Sequence, residues 1–201
     1  MPRRNNHTKE ELRDMVIKAG QSLIVESGFA ALSTRKIAKE IGYTVGTLYH
    51  FFKNYDDIIL HINLVTLDDL KKFIAQKTSK ELNDYERIQK LANLYIEFSN
   101  IDYHRWSALF EYNLTQNEEL PDWYKVKIDG LFEFIKIPLL NIVKDPLLAE
   151  KHSQILWASI HGICVLSLSK KLDVENIEAT KSLADLLVTN YLSGLKNNHS
   201  N

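Results

Sequence analysis

Thr34-Arg-Lys-Ile-Ala-Lys-Glu-Ile-Gly-Tyr-Thr-Val-Gly-Thr-Leu-Tyr-His-Phe-Phe-Lys53 reads as a short helix, a glycine turn and a second short helix. Ile37, Ala38 and Ile41 give the first helix one apolar face, and Gly42 follows that face at the place of a left-handed C-cap. Thr44 is placed to cap the second helix, in which Val45, Leu48, Tyr49 and Phe52 recur at helical spacing. Thr44, Thr47, His50 and Lys53 fall on the free side. Two helices that share a small apolar seam and carry hydroxyls, an imidazole and an amine on the free face match a helix-turn-helix. That arrangement lays one helix in the major groove of DNA, where polar side chains read bases and hold phosphates.

The flanks agree with this reading. Upstream, Thr8-Lys-Glu-Glu11 is a capping box, and Leu12, Met15, Val16, Ala19, Leu23 and Ile24 keep helical spacing to Gly28. Phe29 and Leu32 are expected to tuck under this helix before Ser33 or Thr34 caps the next. Downstream, Asp56 and Asp57 place carboxylates at the positive end of a long helix expected over 58 to about 75. No proline stands between Pro2 and Pro121. Asn83 and Asp84 open a further helix, Asp102 caps an aromatic-rich one over 103–115, and Pro121 starts one that Pro138 is expected to kink. Asp145-Pro146 launches a helix to about 172, and the last runs over about 176–196. No segment shows sustained two-residue alternation, so the expected fold is all-α with about nine helices.

Composition bounds the function. The 201 residues, 45% hydrophobic, suffice for a sizeable core. A single cysteine, Cys164, excludes an intrachain disulfide and suits a reducing cytosol. The basic N-terminus lacks the apolar run of a secretory signal, and the most apolar window, 155–168, is interrupted by Ser159, His161, Gly162 and Ser167. A cytoplasmic protein with no membrane partner is expected. The net charge of −1 conceals an asymmetry: residues 1–55 hold nine Lys/Arg against five Asp/Glu, and the remainder sixteen against twenty-one. A basic front and an acidic body suit a DNA-reading domain, 1–55, on a larger helical body, 56–201.

The combination Gly28-Phe29, Ser33-Thr34-Arg35-Lys36-Ile37-Ala38, Ile41 to Lys53 with its Gly-Thr-Leu-Tyr-His-Phe-Phe-Lys core, then Asp57, resembles the TetR-type (TetR/AcrR) family of bacterial transcriptional regulators. Trp157-Ala-Ser-Ile-His161-Gly162 resembles a Trp-x-x-x-His-Gly element in the penultimate helix of many members. The resemblance implies a three-helix DNA-binding domain joined to a ligand-binding and dimerisation body. It implies operator contacts by Thr34, Thr44, Gly46, Thr47, Tyr49, His50 and Lys53. Gly46 would let the backbone approach DNA, and Lys53 would pair with a phosphate. The chain departs from the family pattern at Val45, where a polar or basic residue is common, and at Tyr55, where many members carry a lysine. Phosphate binding is therefore expected to lean on Lys53, Arg35, Lys36 and the tail residues Arg3 and Arg4.

The resemblance further implies a homodimer on a palindromic operator, released by a small-molecule effector that tilts the helix after residue 56. The last two helices are apolar beyond one face, which a second subunit would cover. Tyr103, Trp106, Phe110, Trp123, Phe132, Trp157 and His161 supply aromatic walls and a few polar tips suited to a partly apolar ligand. For His161 and Gly162 the favoured reading is instead a close-packing point at a dimer seam. Control by a protein partner in place of an effector is the alternative. Catalysis is not expected: His161 and Cys164 lie three apart, yet nothing positions a third group, and no glycine-rich phosphate loop occurs. No cofactor or metal is expected.

Overall fold

The computed structural model describes residues 7–79, 81–112 and 119–198, and Arg3 and Arg4 lie outside them. Nine α-helices and no strand occur among the described residues: α1 (Lys9–Ser27), α2 (Thr34–Ile41), α3 (Val45–Leu48), α4 (Tyr55–Lys77), α5 (Asp84–Ile101), α6 (Tyr103–Glu111), α7 (Asp122–Val143), α8 (Pro146–Leu168) and α9 (Ile177–Asn198). A short 3-10 turn, Phe29–Ala31, joins α1 to α2.

The helix ends follow local chemistry. The Thr8 hydroxyl accepts from the Glu11 backbone N–H at 3.2 Å, and the Glu11 carboxylate accepts from the Thr8 backbone N–H at 2.8 Å. Gly28, at φ 75, ends α1. Ser33, rather than Thr34, caps α2, and Gly42 closes it in the left-handed region at φ 74. Asp145 accepts from Leu147 and Leu148 at the start of α8, and Asn176 accepts from Ala179 at the start of α9. α7 is one helix with Pro138 inside it. Two other expectations shift. α3 has only one regular turn, with Tyr49 to Phe51 continuing as looser turns. α8 stops at Leu168 instead of reaching 172, because Lys170 turns left-handed at φ 56 and the Lys171 N–H reaches back to the Leu166 carbonyl at 2.8 Å.

The chain packs into two compact units, Met1–Thr66 with Asp102–Tyr124, and Leu67–Ile101 with Lys125–Asn201. In the first, Val16 and Ile24 of α1, Ile37 of α2, Leu48, Phe52 and the α4 residues Ile58, Ile59 and Ile62 form a closed apolar core that also takes Ala108 of α6. Joining α6 to the helix-turn-helix core depends on contacts distant in sequence, and helical periodicity does not announce it. In the second unit α5 lies against α8 and α9. Buried residues there include Ile88, Leu94 and Ile96, Leu156 and Ile160, and Ala184, Val188 and Leu192 at helical spacing.

Candidate nucleic-acid interface

α2 and α3 meet through Ile37, Ala38 and Leu48, all buried, and this seam fixes which side chains of α3 remain outside. Thr44, Gly46, Tyr49, His50 and Lys53 are exposed, as are Arg35 and Lys36, while Thr34 and Thr47 are half-buried. Tyr49 is 44% exposed, so its ring is not core packing. Thr44 accepts from the Thr47 N–H at 3.3 Å and the two hydroxyls stand 3.0 Å apart, which holds the first turn of α3 in shape. Lys36 donates its ammonium to the Ala31 carbonyl at 2.9 Å and so braces the entry to α2.

Gly46 has a specific reading. A Cβ built there meets only the Thr44 hydroxyl oxygen at 3.7 Å, ordinary van der Waals contact, and the backbone is not left-handed. The fold itself therefore does not require glycine at 46, in contrast to Gly42. What a missing side chain provides at this exposed site is access to the helix backbone.

The two departures from the family pattern have local explanations. Val45 is half-buried and packs against the first unit's core. The Tyr55 hydroxyl donates to the Leu32 carbonyl at 3.0 Å, tying the start of α4 to the linker before α2. Burial, then the neighbouring Tyr49 and Asp56, raises the Tyr55 phenol above its ordinary value and keeps it a donor. His7 was not singled out by sequence pattern. Its Nδ1 lies 2.9 Å from the Tyr43 hydroxyl, which joins the chain entering α1 to the turn between α2 and α3.

The seven aromatic and histidine residues considered for a ligand site divide between the units. Tyr103, Trp106, Phe110 and Trp123 belong to the first and Phe132, Trp157 and His161 to the second. Trp106 is buried against Phe110, ring centroids 5.4 Å apart, and Trp123 lies over His61 at 4.6 Å. In the second unit Trp157 stacks on His161 at 5.3 Å and 18°, Phe132 meets Trp157 edge-on at 5.6 Å, and His161 Nδ1 sits 2.9 Å from the Tyr95 hydroxyl. Burial lowers the His161 pKa, which favours the neutral ring. Gly162 has open space where a Cβ would stand.

Cys164 is buried, and burial pushes its thiol up to about 12, the environment of an inert side chain. An open groove of about 300 Å³ between α5 and α9 is lined by Lys90, Asn93, Glu97, Lys181 and Asp185, among others, and by none of the seven. Within it Lys181 bridges Glu97 and Glu178, and Asp185 accepts from the amides of Gln89 and Asn93. No helix among the described residues is long and apolar enough to cross a membrane.

Comparison with known proteins places this geometry. Residues 16–62, from mid-α1 into α4, match the family model described as bacterial regulatory proteins, tetR family. The chain is 20% identical over 170 residues to the HTH-type transcriptional regulator PksA of Bacillus subtilis (strain 168), covering 82% of each. The fold is shared with a putative tetR family transcription regulator from Shewanella sp. PV-4, at TM-score 0.68 and 16% identity over 92% of this chain and 98% of that one. It is shared too with the transcriptional regulator FadR from Bacillus subtilis in complex with stearoyl-CoA, at TM-score 0.65 and 18% identity over 87% of this chain and 97% of that one. By its reading motif the chain belongs to the TetR family, a DNA-binding transcriptional regulator.

Proposed function

We propose that the protein is a cytoplasmic one-component repressor that binds a palindromic operator as a homodimer and is released by a small, partly apolar effector. Residues 1–55 act as the reading head and 56–201 as the regulatory and dimerising body. Thr34, Thr44, Gly46, Thr47, Tyr49, His50 and Lys53 contact the operator, with Arg35 and Lys36 at the backbone. The observation that carries this reading is the exposed polar face of α3 around Gly46, a glycine that the fold does not require.

Dimerisation is supported by outward apolar side chains on the last two helices. Ile155 is 49% and Leu186 61% exposed, and Val165, Leu166 and Leu183 are exposed as well. Sensing is supported by the aromatic group of Phe132, Trp157 and His161, with the Tyr95 hydroxyl at its edge. The bound stearoyl-CoA of FadR, a protein of the same fold, points to an effector with an apolar chain. Such a ligand releases DNA only through tighter binding to the released state, by tilting α4 and moving the two heads off half-sites about 34–36 Å apart.

Operator capture from genomic fragments tests the reading. Tyr49→Ala and Lys53→Ala are each expected to weaken binding of the captured duplex without lowering the melting temperature of the protein. Lys53→Ala is also expected to reduce the salt slope of binding by about two, one for each subunit. Unchanged affinity in both variants rejects the site. Release by fatty acyl-CoA but not by free CoA supports the apolar effector.

A further inference from the structure

The end of the recognition segment is held by groups that its own sequence does not contain. Past α3 the Phe51 carbonyl accepts from Nη1 of Arg13 at 3.3 Å, and the guanidinium lies 4.9 Å from the centre of the Phe52 ring. Nη2 of the same arginine meets Nε2 of His61. A guanidinium only donates, so Nε2 is the acceptor and the imidazole proton sits on Nδ1. Nδ1 in turn lies 2.7 Å from the Asp57 carbonyl and 3.2 Å from its carboxylate Oδ1, while the carboxylate Oδ2 accepts the Lys53 backbone N–H at 2.9 Å. One imidazole thus joins α1, the end of the recognition segment and the start of α4. The Phe52 ring faces it at 5.5 Å and the Trp123 ring of α7 at 4.6 Å. Arg13 from α1 and Asp57 from its own helix are charged groups against it.

We propose that His61 is a positioning residue for DNA recognition: neutral, with its proton on Nδ1, it aims Arg13 at the Phe51 carbonyl and so sets how Tyr49, His50 and Lys53 are presented. The role rests on the DNA-binding assignment of α3 and adds to it a control on that segment's orientation. A second proton, on Nε2, puts a donor and a positive charge against the guanidinium. Arg13 then loses its partner, and the Phe51 carbonyl loses the donor that fixed it. Operator affinity falls as a consequence. His50, exposed on the free face, acts with the opposite sign, since a protonated imidazole there adds attraction to phosphate.

The test uses the full-length protein. Imidazole nitrogen NMR without DNA is expected to show the Nδ1–H tautomer of His61 at about pH 8, and an Nε2–H tautomer overturns the proposal whether or not DNA is bound. Affinity for a duplex selected from random sequence is then compared at about pH 8 and about pH 5.5, the range over which imidazoles change charge. His61→Gln keeps an acceptor for Arg13 at both values. It is expected to match the wild type at the higher pH and to bind about tenfold more tightly than the wild type at the lower, the worth of one charged hydrogen bond. Arg13→Met keeps an apolar stem over Phe52 and is expected to bind about tenfold more weakly at the higher pH. Identical pH profiles for wild type and His61→Gln, or wild-type affinity in Arg13→Met, overturn the role of His61. Failure of the wild type to bind any duplex overturns the DNA assignment of α3 and the proposal with it.

Discussion

Gly42 and Gly46 stand four residues apart and answer to different demands. Gly42 ends α2 at φ 74, where a side chain is strained, so its identity follows from the turn. Gly46 has ordinary helical space around it, and Gly46→Ala is expected to stabilise the protein by up to about 1 kcal/mol through lower chain entropy and better helix propensity. The same methyl group is expected to weaken operator binding about tenfold or more by keeping the α3 backbone off the DNA. Thermal melting and a binding titration on one preparation check both signs, and a variant no more stable that binds normally rejects the argument. Residue identity in the motif was legible because caps and turns are local: Thr8, Ser33, Gly42 and Thr44 act within three or four residues of themselves. Arg13 and His61 were not, because they lie 48 positions apart and neither belongs to a periodic pattern that marks a contact.

Between elements, the decisive features are close crossings and cross-helix ion pairs. A Cβ at Gly20 of α1 would overlap Cδ1 of Ile62 in α4 and stand 2.9 Å from its Cγ1, and Ile62 is wholly enclosed by the core. Gly20→Ala is therefore expected to cost about 1–3 kcal/mol through overpacking, read as a lowered denaturation midpoint, whereas the same change at the open Gly194 is expected to cost nothing. In the second unit Lys77 of α4 and Lys181 of α9 converge on Glu97 of α5. The Lys77 hydrogen bond, opposed by burial and helped by Lys181, holds the Glu97 carboxyl below its ordinary value. A carboxyl lowered in the folded state stabilises fully above its unfolded pKa and loses that contribution as pH falls through the folded one. Glu97→Gln is thus expected to lower the melting temperature at neutral pH and to converge with the wild type in acid, by an amount near or below about 1 kcal/mol for a partly exposed pair. A deficit that persists undiminished in acid rejects the ion-pair origin. The helices themselves were legible from spacing and caps. Which helix packs on which was not, and α6 joining the first unit through Ala108 is the clearest case.

For the molecule as a whole, the unsettled surface is the outward face of α8 and α9. Ile155, Ala158, Gly162, Val165 and Leu166 recur along one side of α8, and Leu183, Leu186 and Gly194 along one side of α9, all at helical spacing and all exposed or half-buried. Gly162 and Gly194 open onto empty space where a Cβ would project, which suits close approach by another helix. Apolar stripes of this length on two neighbouring helices match an isologous four-helix contact with a second copy. Because Ile155 and Leu186 touch little of their own core, Ile155→Asp with Leu186→Asp is expected to leave the helix content unchanged while raising the dimer dissociation constant by about a hundredfold, through unpaired carboxylates at the seam. Operator binding is expected to fall with it, since a lone head keeps only one half-site, and the binding curve is expected to recover at protein concentrations that restore the dimer. Sedimentation equilibrium alongside the titration reads both quantities. A doubly substituted protein that still sediments as a dimer and binds normally assigns assembly to another face.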